Sequence, residues 1–387
     1  MRAGRFTLDG SDPLEAHLVL ACRRILSGVR GLIGDQRLQA LVLGGGYGRG
    51  EGGVLRESGG DRPYNDLEFY VAVRGNRHVN ELRYRRGLEA LGHILTHLAD
   101  VEVEFKITSL SEIAGSPVSM FSYDLAAGHR LLWGGPGWER ATAHHHREEA
   151  IPAAEASRLL MNRGSGLLFA RLRLESDPFT AAAADFVQRN IAKAQLACGD
   201  AILAERGNYH WSCRERHRRL GELPAPERPP DFEAILRDHA SGVKFKLHPQ
   251  CAGPDGAPDR SKLAAAHAEI TKRLLALWMN LESRRLGRNF ADALAYAADP
   301  NDQCPDTSRT RNFLINVRQR FDAPSGAATL WRHPRQRVCR VLAVLLATTD
   351  PAGNEAARKL LQGQLATEAQ SFADFVAAYE ALWRRVR

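Results

Sequence analysis

The chain has 387 residues, 44% of them hydrophobic and 25% charged, with a formal net charge of +8; that composition excludes wholesale disorder, and the length suffices for two domains. No apolar run approaches the ~18 residues a membrane helix requires, and Asp9, Asp12 and Glu15 stand where a signal peptide would carry its apolar stretch. The expectation is a cytoplasmic protein with no membrane partner. Seven of the 53 basic side chains are lysines, so the cationic excess is mostly guanidinium, which suits phosphate-bearing partners without forming the dense stripe of a nucleic-acid binder.

Apolar residues recur at helical spacing from Leu14 to Leu32, and Leu38 to Leu43 reads as a strand. A glycine cluster, Gly44 to Gly53, follows directly. After a loop rich in Gly, Pro and Asp, Asp66 to Val73 alternates like a strand, Glu81 to Leu98 carries a helical pattern, and Val101 to Ile107 alternates strictly. These elements define a small α+β domain over residues 1–150. Beyond Pro152 the strand signals stop, and 153–174, 180–206, 261–286, 310–320, 335–348 and 366–387 all carry helix-period apolar residues, so 151–387 is expected to be all-α. The Pro-rich passage 223–230 is the best internal linker and a possible subdivision of that part. Six cysteines without any C-x-x-C give neither zinc spacing nor a disulfide framework, and reduced thiols are expected.

Chemistry concentrates in the first domain. Asp66 and Glu68 lie two apart on a strand, so they project from one face about 7 Å apart, while Leu67 and Phe69 point to the other. Two such acids repel one another unless a cation joins them. Mg²⁺ takes carboxylate oxygens and completes its octahedron with water and substrate phosphates. Glu102 and Glu104 also share a strand face, so either offers a third carboxylate. Across from the acids, the glycines after Leu43 allow close backbone approach with amides free to face phosphate oxygens, and Arg49 adds charge-assisted donors.

The run Val42-Leu-Gly-Gly-Gly-Tyr-Gly-Arg-Gly-Glu51 followed by Asn65-Asp-Leu-Glu-Phe69 resembles the signature of the DNA polymerase β-like nucleotidyltransferase superfamily. In that resemblance Gly45 and Gly46 fall on the Gly-Ser pair, Arg49-Gly50 on the Arg-Gly, Asp66 and Glu68 on the metal-binding pair, and Glu104 on the third acid, flanked as Val103-Glu-Phe105. The interval from Gly46 to Asp66 exceeds the usual dozen or so residues and implies an inserted loop around Gly52 to Pro63. The match covers residues 41 to 107, and the later helices are similar in texture to the helical domains of bacterial nucleotidyltransferases, aminoglycoside-modifying ones included. The resemblance implies a polymerase β-like mixed sheet with flanking helices and an all-α C-terminal domain. It further implies transfer of a nucleoside monophosphate from a nucleoside triphosphate, ATP foremost, to an acceptor hydroxyl, with two Mg²⁺ held by Asp66, Glu68 and Glu104 and with pyrophosphate released. Glu104 is also a candidate to deprotonate the acceptor. A small molecule, a protein, a nucleotide or RNA all remain open as acceptor, and an inactive nucleotide- or RNA-binding regulatory relative is the alternative.

Five further features stand out along the chain. Gly48 to Gly53 also fits G-x-G-x-x-G, but that fingerprint demands a helix directly after the glycines. Lys193, four residues after Arg189 on one helical face, is a candidate triphosphate contact. Tyr209 is a candidate base-stacking residue, and Arg214 to Arg219 a basic surface. His144 to His146 reads as a polar connector, since three consecutive imidazoles rarely converge on one metal ion in regular structure.

Overall fold

The computed structural model describes residues 4–250, 259–318, 330–348 and 353–386. Internal contacts divide the chain into two units. The first comprises Met1–Glu155 together with Ile202–Leu223 and Ala240–Cys251; the second comprises Ala156–Ala201, Pro224–His239 and Ala252–Arg387. Among the described residues the chain is α+β, with a small mixed sheet in the first unit and mostly helices elsewhere.

Helix α1 (Asp12–Ile33) begins with Pro13 in its first turn, where a missing N–H costs nothing, and ends at Gly34, whose φ of 82° suits glycine. Its apolar stripe buries Leu14, Leu18, Cys22, Ile25 and Val29. Strand β1 (Leu38–Leu43) runs into the short helix α2 (Gly45–Arg49), and a hairpin of β2 (Val54–Glu57) and β3 (Gly60–Pro63) follows. Strand β4 (Leu67–Val73), helix α3 (Arg77–Ala99) and strand β5 (Val103–Thr108) make a β-α-β unit, with β4 and β5 parallel as such a crossover requires. Asn76 caps α3 by accepting from the amides of His78 and Val79. Helices α4 (Leu110–Gly115) and α5 (Met120–Ala127) lead to β6 (Arg130–Trp133) and α6 (Pro136–Thr142). The sheet order is β5-β4-β1-β6, with β1 antiparallel to both neighbours.

Alternation divides the sheet's two faces. Leu41, Leu43, Leu67, Phe69, Val71 and Val73 join the core beneath α1 and α3, while Ala40, Val42, Tyr70 and Ala72 meet Leu125 and Trp138 from α5 and α6. Asp66, Glu68 and Glu104 share the parity of this second face, at the end of β4 and β5 where helical cover gives out.

The later helices are α7 (Ala154–Glu175), α8 (Ala181–Glu205), α9 (Cys213–Gly221), α10 (Phe232–Leu247), α11 (Arg260–Leu286), α12 (Ala293–Ala298), α13 (Arg309–Arg318), α14 (Arg335–Ala347), α15 (Glu355–Leu365) and α16 (Phe372–Val386). In the second unit α14 is the axis, buried from Val338 to Leu345 and packed by α11, α12, α15 and α16. Several of its buried polar groups pair with one another: Trp278 donates to Ser157, and Tyr296 to Glu282, which also pairs with Arg285. Among the described residues no helix is long and apolar enough to cross a membrane.

Several expectations need correction. The stretch Gly52 to Pro63 is a β-hairpin over much of its length and not an open loop, because the Ser58-Gly59 turn lets Val54 pair with Pro63. That hairpin also removes the dinucleotide reading, since Gly48 to Gly53 leads into β2 instead of a helix. The last helix starts at Phe372 and not Ala366, which is left-handed and closes α15. The expected helix 310–320 is α13 as far as Arg318; residues 319 and 320, Cys251 and Arg387 lie outside the described residues. The other five cysteines are free and buried.

Candidate metal and nucleotide site

Asp66 stands immediately before β4, and Glu68 faces Glu104 in register across the parallel β4–β5 pair. One oxygen from each of Asp66, Glu68 and Glu104 lies within 4.8 Å of the other two. Glu102, the competing third acid, is exposed and outside this trio. Three hard carboxylates converging from adjacent strands match the donor preference of a magnesium-sized cation. The electrostatics agree: burial, then the Glu68 and Glu104 charges, push the Asp66 carboxyl above the usual carboxylate range. Lys106, next but one after Glu104 on the same strand face, sets its ammonium 3.0 Å from Glu68 and 3.6 Å from Glu104. It also lies 5.6 Å over the Tyr70 ring. Phe121 of α5, 56% exposed, packs its ring 5.5 Å from Tyr70 and offers an apolar platform on the acidic face.

The glycine turn is bonded to the acidic strand. Gly44 donates its N–H to the Glu68 carbonyl at 2.9 Å. Gly45 has φ of 62°, a left-handed conformation that favours glycine, and a Cβ there would lie 3.5 Å from a Glu68 carboxylate oxygen, so its backbone borders the trio. A Cβ at Gly48 would sit 2.2 Å from the Leu43 carbonyl oxygen, so any side chain there would force the backbone to shift. The amides of Gly45 and Gly46 open α2, ahead of its own hydrogen-bond ladder. Tyr47 stitches the turn from within: its hydroxyl donates to Gly53 O and accepts from Tyr64 N, each at 2.8 Å. Gly53 N in turn donates to the Asn65 side chain, next to Asp66.

Behind the turn lies a buried charge network. Arg49, its side chain 12% exposed, pairs with Asp124 at 2.6 Å. Burial works against its charge, but Asp124, with help from Tyr209 and Glu51, holds the guanidinium above its usual range. Tyr209 bonds Asp124 and accepts from Arg216, which also donates to the His210 and Trp211 carbonyls. Glu51, 3% exposed, accepts from the Ser212 hydroxyl and the Cys213 amide at the start of α9. Half-buried Lys246 makes no hydrogen bond or ion pair with the described residues. Burial, followed by Arg49, pushes its ammonium down to about 8.

The structure therefore gathers Gly45, Gly46, Asp66, Glu68 and Glu104, with Arg49 tied to Asp124 behind the turn. Lys193 is exposed on α8, in the part of the chain assigned to the second unit. Tyr209 is not a stacking surface, because it is 3% exposed and packed against Tyr123. Nor is Arg214 to Arg219 an open basic face: Arg216 is buried, and Arg218 and Arg219 pair with Glu215. His144 to His146 form a 3₁₀ turn in which buried His145 bonds the Ile113 carbonyl. Sequence reasoning missed Lys106, Glu51, Asp124, Arg216 and Lys246. A clue to Glu51 is an acid set amid glycines, and Ser212-x-x-Glu215 marks the helix start that receives it. No protein-family model, curated protein or solved structure matches the chain.

Lys246 gives a pH signature. Its folded value lies below that of the unfolded chain, so between about 8 and 10.5 the unfolded state binds more protons and stability rises with pH. Urea denaturation across that window should show a gain of about 1–2 kcal/mol, discounted for partial exposure, that is absent in Lys246→Met. An identical slope in the variant would show that the ammonium is solvated.

Proposed function

We propose that the protein is a Mg²⁺-dependent nucleotidyltransferase of the polymerase β-like kind, moving a nucleoside monophosphate from a nucleoside triphosphate to an acceptor hydroxyl. The observation that carries this reading is the Gly44–Glu68 hydrogen bond, with Gly45 bordering the Glu68 carboxylate. It joins a glycine turn suited to polyphosphate and a carboxylate trio suited to a divalent cation in one place. The metal would be held by Asp66, Glu68 and Glu104, and when bound it supplies charge neutralisation at the reacting phosphate.

The chain's own part is orientation and proton traffic. Amides of Gly45 and Gly46 bind phosphate oxygens, with the buried Arg49 charge behind them favouring an anion there. The acceptor oxygen bonds to the α-phosphorus as the bond from that phosphorus to the bridging oxygen breaks, and pyrophosphate leaves with the electron pair. Glu104, 42% exposed against 28% for Glu68, is the acid best open to receive the hydroxyl proton and return it to solvent. Phe121 offers a planar apolar contact for a ring beside the acids.

A hydrogen-exchange experiment with a non-hydrolysable Mg²⁺–ATP analogue tests the reading, paired with α-labelled nucleotides offered with small-molecule, protein, nucleotide and RNA acceptors. Expected are slowed exchange at residues 44–53, 66–68 and 103–106, and label on an acceptor with release of pyrophosphate. No protection at millimolar analogue would overturn the proposal; protection without transfer across the panel would leave a nucleotide-binding regulator in its place.

A further inference from the structure

We infer that Lys106 is a resident cation of the carboxylate trio, so that the nucleotide-free protein takes one divalent ion there instead of two. The inference rests on the metal-site reading above and deepens it. Three carboxylates bring three negative charges into a space where one oxygen of each lies within 4.8 Å of the others. Among the described residues Lys106 is the cation that pairs with any of them, at 3.0 Å from Glu68 and 3.6 Å from Glu104. With its ammonium in place the cluster carries a charge of −2, which one divalent ion cancels. A second divalent ion would make the site cationic in a setting where each added charge is costly.

Position in the fold makes this arrangement built-in. Glu68 and Glu104 are register partners on parallel strands, and Lys106 stands on the same face one pleat further along β5. Its side chain passes over the Tyr70 ring, 5.6 Å from the ammonium, which keeps the charge on the acidic face. The trio's net charge is thus fixed by one β5 side chain, and a second divalent ion becomes favourable when a polyphosphate brings further negative charge.

Titration of nucleotide-free protein with Mn²⁺, followed by the electron paramagnetic resonance signal of the free ion, reads this directly. Wild type should bind one Mn²⁺ per chain at the trio. Lys106→Met should bind a second ion or hold the first at least about tenfold more tightly, whereas Lys106→Arg, which keeps the charge, should stay within about threefold of wild type. Because the side chain is 44% exposed, the variants should keep the wild-type far-ultraviolet circular dichroism. Unchanged stoichiometry and affinity in Lys106→Met, or equal tightening in Lys106→Arg, would overturn the inference while leaving the metal site standing. Mn²⁺ binding that is indifferent to Asp66→Asn would instead remove the metal-site reading itself, and the inference with it.

Discussion

Replacing Asp66 by asparagine should abolish nucleotidyl transfer while leaving the fold intact or slightly firmer. Asp66 is one of three mutually repelling acids, and no cation pairs with it among the described residues. Removing its charge takes away a proposed metal ligand and relieves repulsion together. A loss of at least about 10³-fold in turnover is expected, with the unfolding free energy raised by up to about 1 kcal/mol. The pH dependence follows from the same shift. Because the folded carboxyl titrates higher than the unfolded one, its contribution is most favourable below the unfolded value and is lost as pH rises through the folded value. The Asp66→Asn variant should lack that decline in urea titrations from acid to neutral pH. A variant keeping a tenth of wild-type turnover would remove Asp66 from the catalytic apparatus.

Arg49→Met should strongly destabilise the first unit. Methionine retains the apolar stem that lies against Gly128, so the loss is chiefly of charge. Asp124 would keep the Tyr209 hydroxyl as a donor, and its other oxygen is already buried without a partner. Breaking a buried pair from one side costs about 3 kcal/mol, and chemical denaturation should show it. The double change Arg49→Met with Asp124→Asn should recover much of the deficit, because neither charge is then stranded. A single-variant loss under about 1 kcal/mol would mean that water already solvates the pair.

Local periodicity makes the strands at 38–43, 66–73 and 101–107 and most long helices legible, since each buries a face its own spacing defines. The same spacing places Asp66 and Glu68 together, and the Glu68–Glu104 register decides between Glu104 and Glu102. Short elements escape: β6 has four residues, too few to alternate, and β2 and β3 hide in a Gly-rich composition. Helix α9 reads as a basic surface because its charges outnumber its apolar residues, although Cys213, Arg216 and Leu220 are buried. The network behind the glycine turn is beyond reach for a different reason. Glu51 meets Ser212 across 161 positions and Arg49 meets Asp124 across 75, and no local pattern encodes a pairing over such separations.

That the first unit is completed by 202–223 and 240–251 bears on how the chain is made. A ribosome delivers the glycine turn and all three acids within the first 104 residues, yet the groups that satisfy Glu51 arrive only with Ser212 and Cys213. During synthesis the nascent sheet waits with that carboxylate unsated until more than half of the polypeptide has emerged. A fragment cut at the end of the sheet would carry every proposed ligand and still lack the pieces that close it, so truncation is a poor route to a minimal folded unit.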